Sequence, residues 1–249
     1  MLVLSLFPGI GLLDRGFEDL GFCVVRGPDL IFGGDIRQFN VPEGRFDGVI
    51  GGPPCQDFSK ARRVEPTGQG VEMLDHFCRV VSQAKPSWWL AENVPGVPDI
   101  KIDGYSWQRL DLNASDFGMK QRRLRHVQFG ANDGSQLIID RIKTAGQFST
   151  VLANDDRSIR EIAVLQGLPD NFDIPAFTRA SLARAVGNGV PYGMASAIAR
   201  AVKHRQTGVT LCACSCGRRV TGKQKYFDGA CRKRAFDRRV TDQVNILSR

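Results

Sequence analysis

The chain has 249 residues, 42% of them hydrophobic, which is enough to bury a core and argues against a disordered protein. Its net charge of +8 is concentrated in residues 203–249, which hold 12 Lys or Arg against 3 Asp or Glu. No stretch approaches the roughly 20 apolar residues of a membrane helix, and residues 1–7 lack the charged region and cleavage site of a signal peptide. We therefore expect a soluble, intracellular protein with no membrane partner.

Short apolar runs alternate with segments of helical periodicity along the chain, which predicts an α/β fold with a mostly parallel open sheet. The predicted strands are 2–7, 22–25, 46–50 and 87–91, with two more between 105 and 130, and the predicted helices are 12–20, 71–83, 158–166 and 191–202. Residues 131–157 are expected to be irregular. Ligands of such sheets bind beyond the carboxyl ends of the strands, which is where the unusual segments 7–12, 51–59 and 92–96 fall.

Two of these strand ends carry motifs with chemical meaning. Phe7-Pro8-Gly9-Ile10-Gly11 is a glycine-containing turn into a helix, where backbone N–H groups approach a ligand closely, although it lacks the GxGxxG pattern of dinucleotide sites. Gly51-Gly52-Pro53-Pro54-Cys55 presents a cysteine rigidly after two prolines. Because thiolates are strong nucleophiles, we interpret Cys55 as a reactive residue, and Cys23 and Cys78 as buried, inert cysteines.

Six motifs, in the same order along the chain, resemble those of the cytosine-carbon-5 DNA methyltransferase family. The matching segments are Phe7–Gly11, Pro53–Gln56, Glu92–Val94, Gln121–Arg125, Arg157–Pro169 and Gly187–Val190, similar to the first, fourth, sixth, eighth, ninth and tenth motifs. They span about residues 1–203. The resemblance implies the Rossmann-like fold of S-adenosylmethionine-dependent methyltransferases, in a compact member similar to those of phages and restriction–modification systems.

The resemblance also implies residue roles in the transfer of a methyl group to carbon 5 of a cytosine in duplex DNA. Cys55 would add to carbon 6 of the base, and Glu92 would hold or protonate the ring nitrogen N3. Arg125 would bind the cytosine O2, with Arg123 nearby. A cytosine inside a duplex must be flipped out to reach these groups, and the loop 58–70, with Lys60, Arg62 and Arg63, is expected to close over the DNA.

The family's cofactor, S-adenosylmethionine, would be bound by residues from five segments. By resemblance these are Phe7, Gly9, Ile10, Gly11, Leu12, Asp29, Asp35, Ile36, Pro53, Asn188 and Val190. Asp35 would accept a hydrogen bond from the adenine amine. The family usually has an acidic residue at the end of strand two for the ribose hydroxyls, and here Asp29 is the nearest candidate. The helix that usually follows strand two is not predicted.

A second departure lies between Arg125 and Arg157, where the family normally carries a sizeable target-recognition domain. Only about thirty residues, 126–157, are available, which is too few for a groove-reading module. Sequence recognition is therefore expected to be reduced, relocated or supplied by a partner.

The basic tail, residues 204–249, is a candidate for such relocation. Cys212, Cys214, Cys216 and Cys231 resemble the ligands of a small zinc ribbon or knuckle, with His204 as an alternative ligand; the alternative interpretation is free thiols on a flexible tail. The cations expected to contact phosphates are Arg218, Arg219, Lys223, Lys225, Arg232, Lys233, Arg234, Arg238 and Arg239.

The sequence is also compatible with two other functions. One is a DNA-binding relative that has lost turnover. The other is a tRNA cytosine-5 methyltransferase, although the Cys-Phe-Thr segment of that branch is absent. RNA enzymes with two catalytic cysteines are disfavoured, since Glu92 occupies the position of their second cysteine. The oligomeric state is not determined, and a monomer is the default expectation.

Overall fold

The computed structural model describes residues 1–58, 65–142 and 144–237. Within them a six-stranded sheet has the spatial order β2-β1-β3-β4-β6-β5. The strands are β1 Leu2–Leu6, β2 Cys23–Arg26, β3 Gly48–Gly51, β4 Trp88–Asn93, β5 Ser106–Asn113 and β6 Leu124–Ala131. The first four strands pair in parallel, and β6 runs antiparallel to both β4 and β5. The predicted mostly parallel α/β sheet is confirmed.

Helices cover both faces of the sheet, because the central strands are apolar on both sides. In β4, Trp88 and Leu90 pack into a core with Phe17 and Ile198, whereas Trp89 packs on the opposite face. This alternation follows from the two-residue period of a strand. The helices are α1 Leu12–Glu18, α2 Gln69–Ala84, α3 Ile159–Leu165, α4 Arg179–Asn188 and α5 Tyr192–Lys203.

The helix α4 was not predicted, although its sequence carries a helix start signal. Thr178 caps it by accepting from the backbone N–H of Ser181, as an N-cap threonine does. The helix has few large apolar residues, and Leu182 and Val186 make its main contacts with the core. Between β2 and β3 only 3₁₀ turns are present, Leu30–Phe32 and Ile36–Gln38, which agrees with the expected absence of a helix there.

The residues after α5 have a small hydrophobic cluster of their own. It contains the four tail cysteines, Val220 and Ala235. We place the boundary between the catalytic part and this appendage at about residues 203/204, as a proposal. In the described ranges no helix has the length and apolarity that crossing a membrane requires.

Candidate active site

A cavity of about 650 Å³ opens beyond the carboxyl ends of β1, β2, β3 and β4. It lies where ligands of open α/β sheets are expected, and its size is in the range of small-molecule sites. The turn after β1, the segment around Cys55 and the end of β4 all contribute to its wall. The three strand-end segments that the sequence singled out are therefore brought together.

Cys55 is partly exposed and lies just past β3, ahead of a 3₁₀ turn, Gln56–Phe58. Two polar contacts fix its segment. The buried Asn93 side chain donates from Nδ2 to the Pro53 carbonyl at 3.0 Å, and the Asp57 carboxylate accepts from the backbone N–H of Gly70, at the start of α2, at 2.7 Å. The thiol is thus held between β4 and α2.

The carboxyl group of Glu92 lies at the end of β4, with 8% of its side chain exposed. Its Oε1 is 3.0 Å from Nε of Arg125, whose side chain is 13% exposed. Burial raises the pKa of Glu92, and the two cations Arg125 and Arg123 oppose that rise only in part. A carboxyl group with a raised pKa is suited to donating a proton to a bound ligand.

Burial also raises the pKa of the Cys55 thiol, and the negative charge of Glu92 raises it further, whereas Arg125 and Arg123 lower it. Burial and Glu92 therefore favour the protonated thiol, and the two arginines favour the thiolate.

Arg123 lies near Cys55 and Glu92, as the resemblance implied, and acts on both electrostatically, but it is placed behind the cavity wall. It is 1% exposed and does not line the cavity. Its guanidinium donates to the carbonyls of Val151, Gly187 and Gly189 at 2.6–3.0 Å, and burial lowers its pKa to about 9. This geometry favours a structural role for Arg123, leaving Arg125 as the arginine that faces the cavity.

Two glutamines complete a buried network behind the cavity. Gln121 donates to the Leu165 carbonyl and to the Gln166 side chain, at 2.6 and 2.9 Å. Gln166 in turn donates to the Val186 carbonyl at 2.6 Å. The eighth-, ninth- and tenth-motif segments are therefore joined by hydrogen bonds. These pairings could not be predicted from the sequence beyond the motifs themselves, because each glutamine also suits a surface position.

The glycine turn forms the wall next to β1. Phe7, Gly9 and Gly11 all have positive φ, between 53° and 77°, and nothing lies within 4 Å of where a Cβ of Gly9 would be. The Gly9 N–H donates to Oδ2 of Asp29 at 2.7 Å. Asp29 also caps the following 3₁₀ turn by accepting from Ile31, so it lies in the wall despite the unusual sequence around it.

Almost all residues proposed for the cofactor face this cavity. The lining includes Phe7, Gly9, Ile10, Leu12, Asp29, Asp35, Ile36, Pro53, Asn188 and Val190. Gly11 is the exception, since it is the N-cap of α1 and a Cβ there would lie 2.8–3.2 Å from the guanidinium of Arg26. Asp35 caps a 3₁₀ turn by accepting from the Arg37 N–H and lies 3.4 Å from the Arg37 guanidinium.

Several lining residues were not found from the sequence. Asp14, on α1, is fully buried, accepts from the Ser5 hydroxyl and pairs with Arg26, and burial raises its pKa. The signal that was available is an acidic residue within an apolar helical stripe. Arg184 of α4 also lines the cavity and is exposed.

Glu92 and Arg125 have opposite effects on the pKa of the Cys55 thiol, and this can be tested by alkylation. Glu92→Gln removes a charge that raises the thiol pKa, so iodoacetamide should alkylate Cys55 about 3- to 10-fold faster at pH 8. Arg125→Gln removes a charge that lowers the pKa, so it should slow the reaction. Peptide mass spectrometry resolves Cys55 from the other cysteines.

Cys23 is the internal control for this experiment. It was predicted to be buried but is exposed, because it begins the edge strand β2, and it is remote from Glu92 along the sheet. Its alkylation rate should be the same in all three proteins. Equal effects of both substitutions on Cys55, in either direction, would contradict the electrostatic account.

The fold and the cavity define an α/β protein with room for a small ligand beside a thiol and a carboxyl group. The C-5 cytosine-specific DNA methylase family model matches residues 31–156 and 142–204. The matched ranges cover more than half of the chain and include Cys55, Glu92 and Arg125. The chain therefore belongs to the C-5 cytosine-specific DNA methylase family.

Curated relatives include two bacterial type II methyltransferases. M.NgoPII of Neisseria gonorrhoeae is 30% identical over 164 residues, covering 52% of this chain and 48% of the relative. M.FnuDI of Fusobacterium nucleatum is 31% identical over 163 residues, with 52% and 46% covered. The chain thus spans about half the length of the curated relatives it matches.

Solved structures share the fold over most of the chain. A DNA modification methyltransferase encoded in an E. coli prophage aligns with a TM-score of 0.60 and 19% identity, covering 82% of this chain and 99% of that one. A methyltransferase of Entamoeba histolytica aligns with a TM-score of 0.62 and 11% identity, with 82% and 98% covered. The predicted methyltransferase fold is confirmed.

Proposed function

We propose that this chain is a DNA (cytosine-5-)-methyltransferase that acts on duplex DNA with S-adenosylmethionine as methyl donor. The observation that carries the proposal is the cavity that holds Cys55, Glu92 and Arg125 together with the glycine turn after β1. A nucleophile, an acid and a ligand-binding turn are the parts that this chemistry needs in one place. The named activity of the type II relatives supports it.

The cavity fits the proposed cofactor in size and in chemistry. Two carboxylates, Asp29 and Asp35, lie in the wall, where they can accept hydrogen bonds from ribose hydroxyls and an adenine amine. The open space above Gly9 admits a ligand close to the backbone. S-adenosylmethionine supplies the methyl group as an electrophilic carbon on sulfur.

In the proposed reaction the chain's residues act on the base. Cys55 gives up its thiol proton to water, its Sγ forms a bond to carbon 6 of the cytosine, and the electron pair of the 5,6 double bond moves to carbon 5, which becomes nucleophilic. Glu92, whose pKa is raised by burial, donates its proton to N3 and so makes this addition possible. After methylation the carbon-5 proton leaves to water, its bonding electrons re-form the 5,6 double bond and expel the Cys55 sulfur as a thiolate, and the N3 proton returns to Glu92.

Arg125 has two roles in this proposal. Its guanidinium is 3.0 Å from Glu92 and lines the cavity, so it can orient the carboxyl group and donate to the cytosine O2. The target base reaches this position only when it is flipped out of the duplex. The loop residues proposed to close over the DNA, Lys60, Arg62 and Arg63, lie outside the described residues.

The test is bisulfite sequencing of DNA from cells that express the protein, with the Cys55→Ser variant as the control. We expect protected cytosines with the native protein and none with the variant. Bisulfite conversion shows the modified base and the sequence preference together. Complete conversion in both samples, with both proteins folded and expressed, would contradict the proposal. The same experiment with tRNA tests the alternative substrate.

The proposed activity also suggests where the protein acts in the cell and to which biological system it belongs. We place the protein in the cytoplasm of a prokaryotic or phage-infected cell, as a restriction–modification, phage or prophage enzyme. The named relatives are bacterial type II methyltransferases, and one structural neighbour is encoded in a prophage.

A further inference from the structure

The four cysteines of the appendage form a compact group away from the active site. Cys212, Cys214, Cys216 and Cys231 are all buried, and their sulfur atoms lie within 4.8 Å of one another. The Cys212–Cys214 and Cys216–Cys231 sulfur distances are 3.4 and 3.9 Å. A tetrahedral zinc site with Zn–S bonds of about 2.3 Å requires sulfur–sulfur edges of about 3.8 Å. His204 lies outside this group, so the sulfurs alone make four ligands.

The hydrogen-bond donors around the four sulfur atoms, two of them arginines, suit negatively charged thiolates better than neutral thiols. The guanidinium of Arg218 donates to the sulfurs of Cys216 and Cys231 at 3.4 and 2.8 Å, and Arg234 donates to Cys231 at 3.2 Å. The Phe227 N–H donates to Cys212 at 3.2 Å. A Zn²⁺ ion with four thiolates has a charge of −2, which two arginines balance, and such outer contacts orient metal ligands.

The cysteine cluster is joined to the edge strand β5 of the catalytic sheet. The Asp111 N–H of β5 donates to the Ser215 carbonyl at 2.9 Å, and Arg141 donates to the Cys216 carbonyl. Gly217 allows this contact, since a Cβ there would lie 2.8–2.9 Å from Ile139 and Leu110. The reduced segment 126–157 therefore contributes a platform for the appendage.

This attachment lies at the level of the active-site edge. Asn93 at the end of β4 is opposite His126 of β6, and His126 is opposite Asp111 of β5. The Asp111 N–H is the donor that bonds to the Ser215 carbonyl. Three strand spacings of about 4.8 Å put the cluster roughly 14 Å to the side of β4. That distance corresponds to about four base pairs of duplex at about 3.4 Å each.

We propose that Cys212, Cys214, Cys216 and Cys231 bind one Zn²⁺, and that the zinc-fixed appendage binds the phosphate backbone of the duplex beside the flipped base. The second half rests on the proposed function. The cations that carry it are Arg219, Lys223, Arg232 and Lys233, which are exposed and have no side-chain partner among the described residues. Arg218 and Arg234 instead face the sulfurs, and Arg238 and Arg239 lie outside the described residues.

The metal half is tested on the full-length protein by native mass spectrometry and elemental analysis. We expect one zinc per chain, and cobalt substitution should give the thiolate-to-metal absorption of a tetrahedral S₄ site. Cys214→Ser should lower zinc content at least tenfold under chelator, whereas Cys23→Ser, the matched control, should keep one zinc. A native chain without zinc, or equal retention in both variants, would overturn it.

The DNA half is tested by binding of a duplex across a salt series. Arg232→Gln/Lys233→Gln should reduce the slope of log K against log salt by about 1.8, which makes the affinity loss between 50 and 200 mM salt about tenfold smaller. The control removes two exposed cations elsewhere, Arg45→Gln/Lys101→Gln, and should leave the slope unchanged. Identical slopes for the two double variants would overturn this half.

These readouts are independent of methylation. If zinc binds and the slopes differ while bisulfite sequencing detects no methylcytosine, the proposed function fails and the appendage proposal stands. If methylation occurs without zinc, the reverse holds.

Discussion

Cys55→Ser is expected to lower methyl transfer by at least about 10³-fold while leaving S-adenosylmethionine binding and thermal stability close to those of the native protein. The hydroxyl that replaces the thiol is a far weaker nucleophile at neutral pH, and loss of a nucleophile typically costs several powers of ten in rate. The side chain is partly exposed and its segment is held by Asn93 and Asp57, so the fold does not depend on the sulfur. The measurement is transfer of labelled methyl groups to duplex DNA.

A mechanism-based duplex with 5-fluorocytosine gives an independent readout. Fluorine cannot leave carbon 5 as a cation, so the bond between Cys55 and carbon 6 should persist, and the native protein should migrate as a covalent complex. Cys23→Ser should still be trapped, and Cys55→Ser should not. Trapping of the Cys55→Ser variant, or more than a tenth of native activity in it, would exclude this residue as the nucleophile.

The strands and the cavity could be predicted because strong local signals coincide with a general rule. Apolar runs before Phe7–Gly11, Gly51–Cys55 and Glu92 end at the same edge of a parallel sheet, so the motifs after them meet in space. The order of strands and motifs along the chain was therefore sufficient to place Cys55 near Glu92, whereas the roles proposed for them came from the resemblance. The resemblance supplied the cofactor residues, and ten of its eleven line the cavity.

The contacts that could not be predicted depend on distant pairings. The sequence does not distinguish Arg123 from Arg125, yet Arg123 is buried behind the cavity wall and Arg125 lines the cavity. The helix α4 was missed because its apolar face is narrow and its stability comes from packing against α3. The attachment of the appendage at β5 uses backbone groups of Asp111 and Ser215, which carry no sequence signal.

Arg123→Met is expected to destabilise the fold by about 3 kcal/mol or more, and to lower the melting temperature by roughly 6–12 °C. The guanidinium donates to three carbonyls, those of Val151, Gly187 and Gly189. Each buried carbonyl that loses its donor costs about 1 kcal/mol or more, and methionine keeps most of the volume without replacing a donor. Because two of these carbonyls flank Asn188 in the cavity wall, S-adenosylmethionine binding should weaken in parallel. Urea unfolding and calorimetric titration measure the two effects.

Arg125→Met is the matched control, since it removes the same group two residues further along. Its guanidinium pairs with Glu92 at 3.0 Å, and without it the buried carboxyl group can take up a proton instead of remaining an unpaired charge. The stability change should therefore stay at about 1 kcal/mol or less, while methyl transfer is lost. The two substitutions thus distinguish Arg123, which stabilises the cavity wall, from Arg125, which is proposed to bind the base. A large stability loss in Arg125→Met with none in Arg123→Met would reverse the two assignments.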